Sequence, residues 1–168
     1  MSEIKESKVE TSHGTLAYSD VGSGSPAVLL LHGNSFCMKV WKHVLSSSLS
    51  ETHRIIAFDL PGHGDSSNAK NPEKDYTQPG YARAALELLS KLGVKEVICL
   101  GWSLGGHNAI EMIPLAAEAG ITIKGMMIVG TPPVGQQGEL DKGFTFGPEG
   151  WETSWVRSCY ILSLLWLH

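Results

Sequence analysis

A mostly parallel α/β sheet with helices on both faces is the fold this sequence predicts, and three observations predict it. Four short apolar runs, at residues 27–31, 55–58, 97–100 and 126–129, have the length of strands buried on both faces. Segments whose apolar residues recur at helical spacing lie between them, and such alternation is the pattern of parallel strands joined by crossover helices. The third run leads straight into Gly101-Trp102-Ser103-Leu104-Gly105-Gly106, a G-x-S-x-G turn between a strand and a helix. In such a sheet the functional loops gather at the C-terminal ends of the strands.

The elements follow in order. Residues 8–21 place the turn-rich trio Ser12-His13-Gly14 between Val9 and Leu16-Ala17-Tyr18, which predicts an antiparallel hairpin. After a loop at 22–26 comes Ala27-Val28-Leu29-Leu30-Leu31, a buried strand ending in His32-Gly33-Asn34. From 38 to 49, Val40, Trp41, Val44, Leu45 and Leu49 recur at helical spacing, so a helix is expected there. Ile55-Ile56-Ala57-Phe58 is the next strand, closed by Asp59-Leu60-Pro61-Gly62-His63-Gly64-Asp65-Ser66, whose glycines signal a turn passing close to other backbone. Residues 67–79 are polar and breaker-rich, a loop of the kind that tolerates variation. Ala84, Ala85, Leu88, Leu89 and Leu92 mark a helix over 81–92 capped by Gly93. Residues 105–119 read as a helix with Ala109, Ile110, Met112 and Ile113 on its buried side, kinked or restarted by Pro114 and ended by Gly120. Met126-Met127-Ile128-Val129 is expected to be a buried strand with both methionines in the core, and Thr131-Pro132-Pro133 stops it.

Composition narrows the function classes. A chain of 168 residues, 42% hydrophobic and 18% charged, is ordinary for one globular domain. Net charge is −4 with basic residues scattered, which leaves no footprint for nucleic acid or an anionic membrane. Cys37, Cys99 and Cys159 are odd in number and lack C-x-x-C spacing, so neither a disulfide framework nor a zinc site is expected. With a polar N-terminus that has no apolar core, this points to the cytoplasm. No metal-ligand cluster and no G-x-G-x-x-G fingerprint stands in the sequence, so no cofactor is expected.

The chemistry centres on Ser103. With 19 glycines in the chain, the bare G-x-S-x-G pattern arises by chance about 0.2 times, so it is its setting between strand and helix that gives it weight. A serine is a nucleophile only with a neighbouring base and preset donors for the developing oxyanion. A helix starting at Leu104 supplies one donor, since its first backbone N–H groups have no partner within the helix.

Three segments together, Leu29-Leu30-Leu31-His32-Gly33-Asn34, the stretch Asp59 to Ser66 and the Ser103 elbow, resemble the N-terminal part of an α/β-hydrolase of the esterase, lipase and haloperoxidase-like type. The resemblance covers roughly residues 8–133 and implies an incomplete α/β-hydrolase core behind the N-terminal hairpin. It implies that the second oxyanion donor is the backbone N–H of Asn34, opposite that of Leu104. Family relatives with His-Gly-Asn at this loop include haloalkane dehalogenases, which carry Asp at the nucleophile position. Ser103 here favours acyl transfer from an ester, thioester or lactone over carbon–halogen cleavage.

The family order is Ser, then Asp or Glu, then His, and residues 134–168 change character: three of the five tryptophans and an apolar stretch over 160–167 replace the strand–helix alternation. Asp141 and Glu149 are the candidate carboxylates there, and His168, as the last residue, is a poor general base. The tail is too short for a membrane span, and Arg157 interrupts it. A truncated, alternatively spliced or frame-shifted product is the expectation.

The remaining candidates read more simply as structure. His32 is expected to bond loop backbone, His63 to sit in the glycine turn, and His107 to pack one helical turn after Ser103. His13, His43 and His53 show no partner pattern, and Asp59 and Asp65 read as turn residues. Trp102 either lines an acyl pocket or packs in the core. Two classes stay open: a serine hydrolase acting on a small ester or related carbonyl substrate, or an inactive hydrolase-like protein keeping only the oxyanion and binding effects, roughly 10³ to 10⁴ over water.

Overall fold

The computed structural model describes residues 5–131. The N-terminal hairpin pairs β1 (Glu6–Thr11) with β2 (Gly14–Val21), antiparallel and in register from Glu6 opposite Ser19 to Thr11 opposite Gly14. Its turn is closed by Thr11, whose hydroxyl donates to Gly14 O (2.6 Å) and accepts from His13 N (3.1 Å). Four further strands follow: β3 (Ala27–Leu31), β4 (Ile55–Phe58), β5 (Glu96–Trp102) and β6 (Thr122–Val129).

The sheet order is β1-β2-β4-β3-β5-β6, with β4, β3, β5 and β6 mutually parallel and β2 antiparallel to β4. The chain leaves β3 to form β4 on one side, then crosses over to form β5 on the other. That reversal makes the C-terminal end of β3 a switch point, where the loops after β3 and β5 diverge and leave a crevice. Ser103 and His32-Gly33-Asn34 are the residues that follow these two strands.

Strand alternation divides the core. Val28, Leu30, Ile55 and Ala57 pack with Ala17, Met38 and Leu45 on one face, beneath a 3₁₀ turn (Met38–Trp41) and the single-turn helix α1 (Lys42–Leu45). Leu29 and Leu31 serve the opposite face, where α3 (Gln78–Lys91) and α4 (Leu104–Ala116) pack on each other and α4 packs on β3, β5 and β6. The start of α3 is capped by Thr77, whose hydroxyl accepts from Gly80 N at 3.1 Å. Its end is Gly93, at φ +71.

Several expectations are corrected. Residues 38–49 are not one helix: the 3₁₀ turn, α1 and a second 3₁₀ turn (Ser48–Glu51) replace it. The serine run is the reason, because Ser46, Ser47 and Ser50 hydroxyls donate to the carbonyls of Lys42 (2.9 Å), Val44 (2.7 Å) and Ser47 (2.8 Å), competing with helical pairing. The polar segment 67–79 is tied down. It holds α2 (Pro72–Asp75), and the buried Asp75 carboxylate bonds His13 Nδ1 (2.8 Å) and accepts from Asn71 N (3.0 Å), so His13 does have a partner. Helix α4 runs through Pro114 without restarting, and Ile113 is 56% exposed. Strand β6 is not buried: Met127 is 58% exposed, and Ile128 and Val129 are exposed with it, so Met127 is not a core residue. The sequence run is apolar enough for a core strand, yet among the described residues β6 pairs only with β5 and its face is partly open. Asp141, Glu149, Cys159, His168 and the rest of the segment 134–168 lie outside the described residues. Among the described residues no helix is long and apolar enough to cross a membrane.

Candidate functional site

Strand β5 ends at Trp102 and α4 begins at Leu104, so the whole change of direction falls on Ser103, at φ 53 and ψ −118. This is a backbone conformation that glycine adopts freely and a serine adopts under strain. Three bonds hold it. Ser103 N donates to Val129 O (2.9 Å), Gly106 N donates to Ser103 O (2.9 Å), and the Thr131 hydroxyl donates to the same carbonyl (2.9 Å). No sequence pattern singled out Thr131 for this contact.

The glycines around the serine are required by close approach. A Cβ on Gly101 would sit 2.5 Å from Gly105 C and 2.6 Å from Gly106 Cα. One on Gly105 would sit 2.6 Å from Leu31 C and 2.8 Å from His32 O. The first turn of α4 is therefore seated against the end of β3, and that seat brings the serine to the loop after β3: a Cβ on Gly33 would be 3.3 Å from Ser103 Cβ. The elbow and the His32-Gly33-Asn34 loop, far apart in sequence, meet at this point. Leu104 is buried and Asn34 half-buried. Neither backbone amide is hydrogen-bonded to another described residue.

The loop itself is braced from β4. His32 is fully buried; its Nε2 accepts from Leu60 N (3.1 Å), which leaves the proton on Nδ1 to donate to Gly33 O (2.8 Å). Asp59, also fully buried, accepts from Met38 N (2.6 Å) with Oδ1 and from Asp65 N (2.7 Å) with Oδ2. Its backbone carbonyl accepts from the Ser66 hydroxyl (2.7 Å). His63 bonds Pro61 O (3.1 Å) and lies 5.2 Å from the His32 ring. Asp65 turns outward and pairs with Lys39 at 3.0 Å.

Burial pulls His32 down to about 4; the bond to Gly33 O opposes this and the nearby His63 adds to it. The folded state thus refuses a proton that the unfolded chain accepts below its ordinary value of 6.5. Stability is then complete above pH 6.5 and falls as the pH drops through that value toward 4, by roughly 3 kcal/mol at the end of the window. His107, held below its ordinary value by burial with Glu111 opposing, acts in the same direction. Urea midpoints are expected to decline from pH 7 to 4, with a shallower decline in His32→Asn.

Trp102 packs edge-on against Phe36 of the loop, ring centres 4.8 Å apart, and its six-membered ring lies where a Cβ on Gly33 would come within 3.2 Å. It thus walls the loop. The same residue, with Val40, Trp41, Leu100, Met127 and Val129, lines an apolar groove of about 320 Å³ on the sheet face. His13, His32, His53 and His63 are hydrogen-bonded elsewhere, and both ring nitrogens of the buried His107 lack a partner among the described residues. None of these is hydrogen-bonded to Ser103.

Comparison with known proteins adds the following. The model of a family described as alpha/beta hydrolase fold matches residues 26–164. A non-heme haloperoxidase of Rhodococcus erythropolis is 30% identical over 143 residues, covering 84% of this chain and 48% of that protein. A solved structure of an N-acyl homoserine lactonase, complexed with N-butanoyl homoserine, superposes with a TM-score of 0.77 at 41% identity, covering 86% of this chain and 51% of the lactonase. An epoxide hydrolase of Vigna radiata superposes with a TM-score of 0.69 at 26% identity, covering 79% of this chain and 40% of that one. The chain spans about half the length, or less, of these relatives.

Proposed function

The chain belongs to the α/β-hydrolase fold family, and from that premise we propose that it is a serine hydrolase acting on a small ester or related carbonyl substrate, lactones foremost. The observation that carries the reading is Ser103 itself: a serine kept at φ 53 between β5 and α4, in a conformation that costs stability and that a turn with no chemical duty has no reason to keep. In the proposed reaction Ser103 Oγ attacks the carbonyl carbon and its proton passes to a general base. The carbonyl π pair moves onto oxygen, where the backbone N–H groups of Asn34 and Leu104 receive it. Collapse expels the alcohol oxygen, which takes the proton, and water releases the acyl group from Ser103 by the same steps. The base and acid are assigned to no described residue.

The preference for lactones rests on the 41% identical lactonase. A cytoplasmic site of action belongs to the same reading; Cys37 and Cys99 are free thiols.

The test is the intact mass of the folded chain after exposure to a fluorophosphonate, with peptide mapping of any adduct and a heat-denatured sample as control. A single adduct on Ser103, confined to native protein, is expected. A folded chain that forms no adduct overturns the serine-hydrolase reading and leaves the inactive hydrolase-like protein in its place.

A further inference from the structure

We propose that Asp59 is a positioning residue for the reaction at Ser103, its buried carboxylate clamping the loop that carries the Asn34 amide; this rests on the serine-hydrolase reading above. A fully buried carboxylate is costly unless its oxygens are hydrogen-bonded, and Asp59 is fully buried with two backbone N–H groups as its side-chain partners. Those two donors show what the carboxylate organises. Met38 N opens the 3₁₀ turn, directly after the loop 33–37, and Asp65 N lies in the glycine turn after β4.

The loop is short of internal support. Its one internal backbone bond is Phe36 N to Gly33 O at 3.3 Å, and Ser35 sits at φ 61, a strained value for a residue other than glycine. It is held instead at its two ends by two consecutive residues of the neighbouring strand's exit. Leu60 N bonds His32 before the loop, and Asp59 Oδ1 bonds Met38 N after it. Five residues fixed at both ends hold the Asn34 amide in place before the reaction begins, and oxyanion stabilisation depends on donors that are already placed. With the Met38 bond cut, the C-terminal end of the loop is free to move while Ser103, held by Val129, Gly106 and Thr131, stays where it is.

Gly64 fits the same picture. A Cβ there would lie 2.4 to 2.8 Å from Asp59 Cγ and Oδ1, and nearer still to Oδ2. The turn is thus folded directly onto the carboxylate.

The experiment compares wild type, Asp59→Asn and a destabilised control in the remote helix α3, Leu88→Val, by the kinetics of fluorophosphonate labelling well below their unfolding temperatures. Hydrogen–deuterium exchange of residues 33–38 is followed in parallel. Asn keeps one oxygen, so one of the two backbone bonds is lost. The expected result is a ten- to hundredfold fall in the maximal labelling rate with little change in the half-saturating reagent concentration, and faster exchange in 33–38 but not in α4. Leu88→Val should label within twofold of wild type. Gly64→Ala, which displaces the carboxylate without removing it, should reproduce the slowed labelling, and it serves as the test if Asp59→Asn does not fold. Unchanged exchange in 33–38 in both Asp59→Asn and Gly64→Ala removes the clamp, whatever the serine does. Faster exchange with an unchanged labelling rate removes its role in positioning. A wild type that does not label removes the serine-hydrolase reading and the positioning role with it, and exchange still reports whether the clamp exists.

Discussion

Gly105→Ala is expected to destabilise the protein by more than about 4 kcal/mol, a large share of the roughly 5 to 15 kcal/mol that keeps an ordinary domain folded. Two effects oppose each other at this position. Inside a free helix alanine is preferred to glycine by about 1 kcal/mol, so propensity alone predicts stabilisation. Against this, the new methyl would lie 2.6 Å from Leu31 C and 2.8 Å from His32 O. Those are backbone atoms at the end of β3, a strand paired on both sides with β4 and β5, and they cannot rotate aside as a side chain can. Nor is the helix free to retreat. Ser103 is fixed to Val129 and Thr131, and backing away would open the contact between α4 and the sheet. The steric effect therefore wins. Gly125→Ala is the matched control: its Cβ would meet nothing closer than Ile98 at 3.9 Å, so its urea midpoint should stay near that of wild type. If Gly105→Ala unfolds at the same denaturant concentration as Gly125→Ala, the first turn of α4 is not seated on β3.

How far the sequence could be read follows from which interactions are local. The strands at 27–31 and 55–58 could be read because burial on both faces demands an unbroken apolar run, and the run at 97–100 because its residues alternate between buried and half-buried. The turn of the elbow could be read because Gly101 answers to contacts within a few residues, Gly105 and Gly106, whereas the contact of Gly105 with Leu31 and His32 could not. Residues 38–49 misled because helical spacing was intact while three serines offered the backbone alternative partners, and periodicity does not register that competition. Met127 misled for a different reason. Apolar character says that a side chain gains by burial, not that a described neighbour covers it, and here the strand lies open. Asp59 was visible only as a turn residue. Its two donors come from Met38 and Asp65, and only the pairing of β3 with β4 brings Met38 to it. The His13–Asp75 pair spans 62 positions and needed the same kind of knowledge. The serine run apart, positions governed by near neighbours were legible, and those governed by strand order were not.

Strain at Ser103 leads to a prediction in which activity and stability move in opposite directions. Ser103→Gly should abolish fluorophosphonate labelling and any hydrolysis, because the proposed nucleophile is gone, and yet raise stability. Holding a serine at φ 53 and ψ −118 costs about 1 to 3 kcal/mol. Glycine removes that cost and gives back about 0.5 to 1 kcal/mol through its freer unfolded state. The net expectation is a gain of about 1 kcal/mol, read as a rise of about 2 to 4 °C in Tm for a domain of this size. Ser103→Ala separates the two contributions. It also loses the hydroxyl, but its Cβ keeps the backbone strain, so its Tm should stay within about 1 °C of wild type while its labelling is lost as completely. A glycine variant less stable than the alanine variant by about 0.5 to 1 kcal/mol, the entropy cost of glycine alone, would mean that the elbow stores no strain, and the turn would then be merely compatible with serine. A higher Tm for glycine alone would mean that the chain gives up stability to keep a hydroxyl where β5 meets α4, which only a chemical use of that hydroxyl explains.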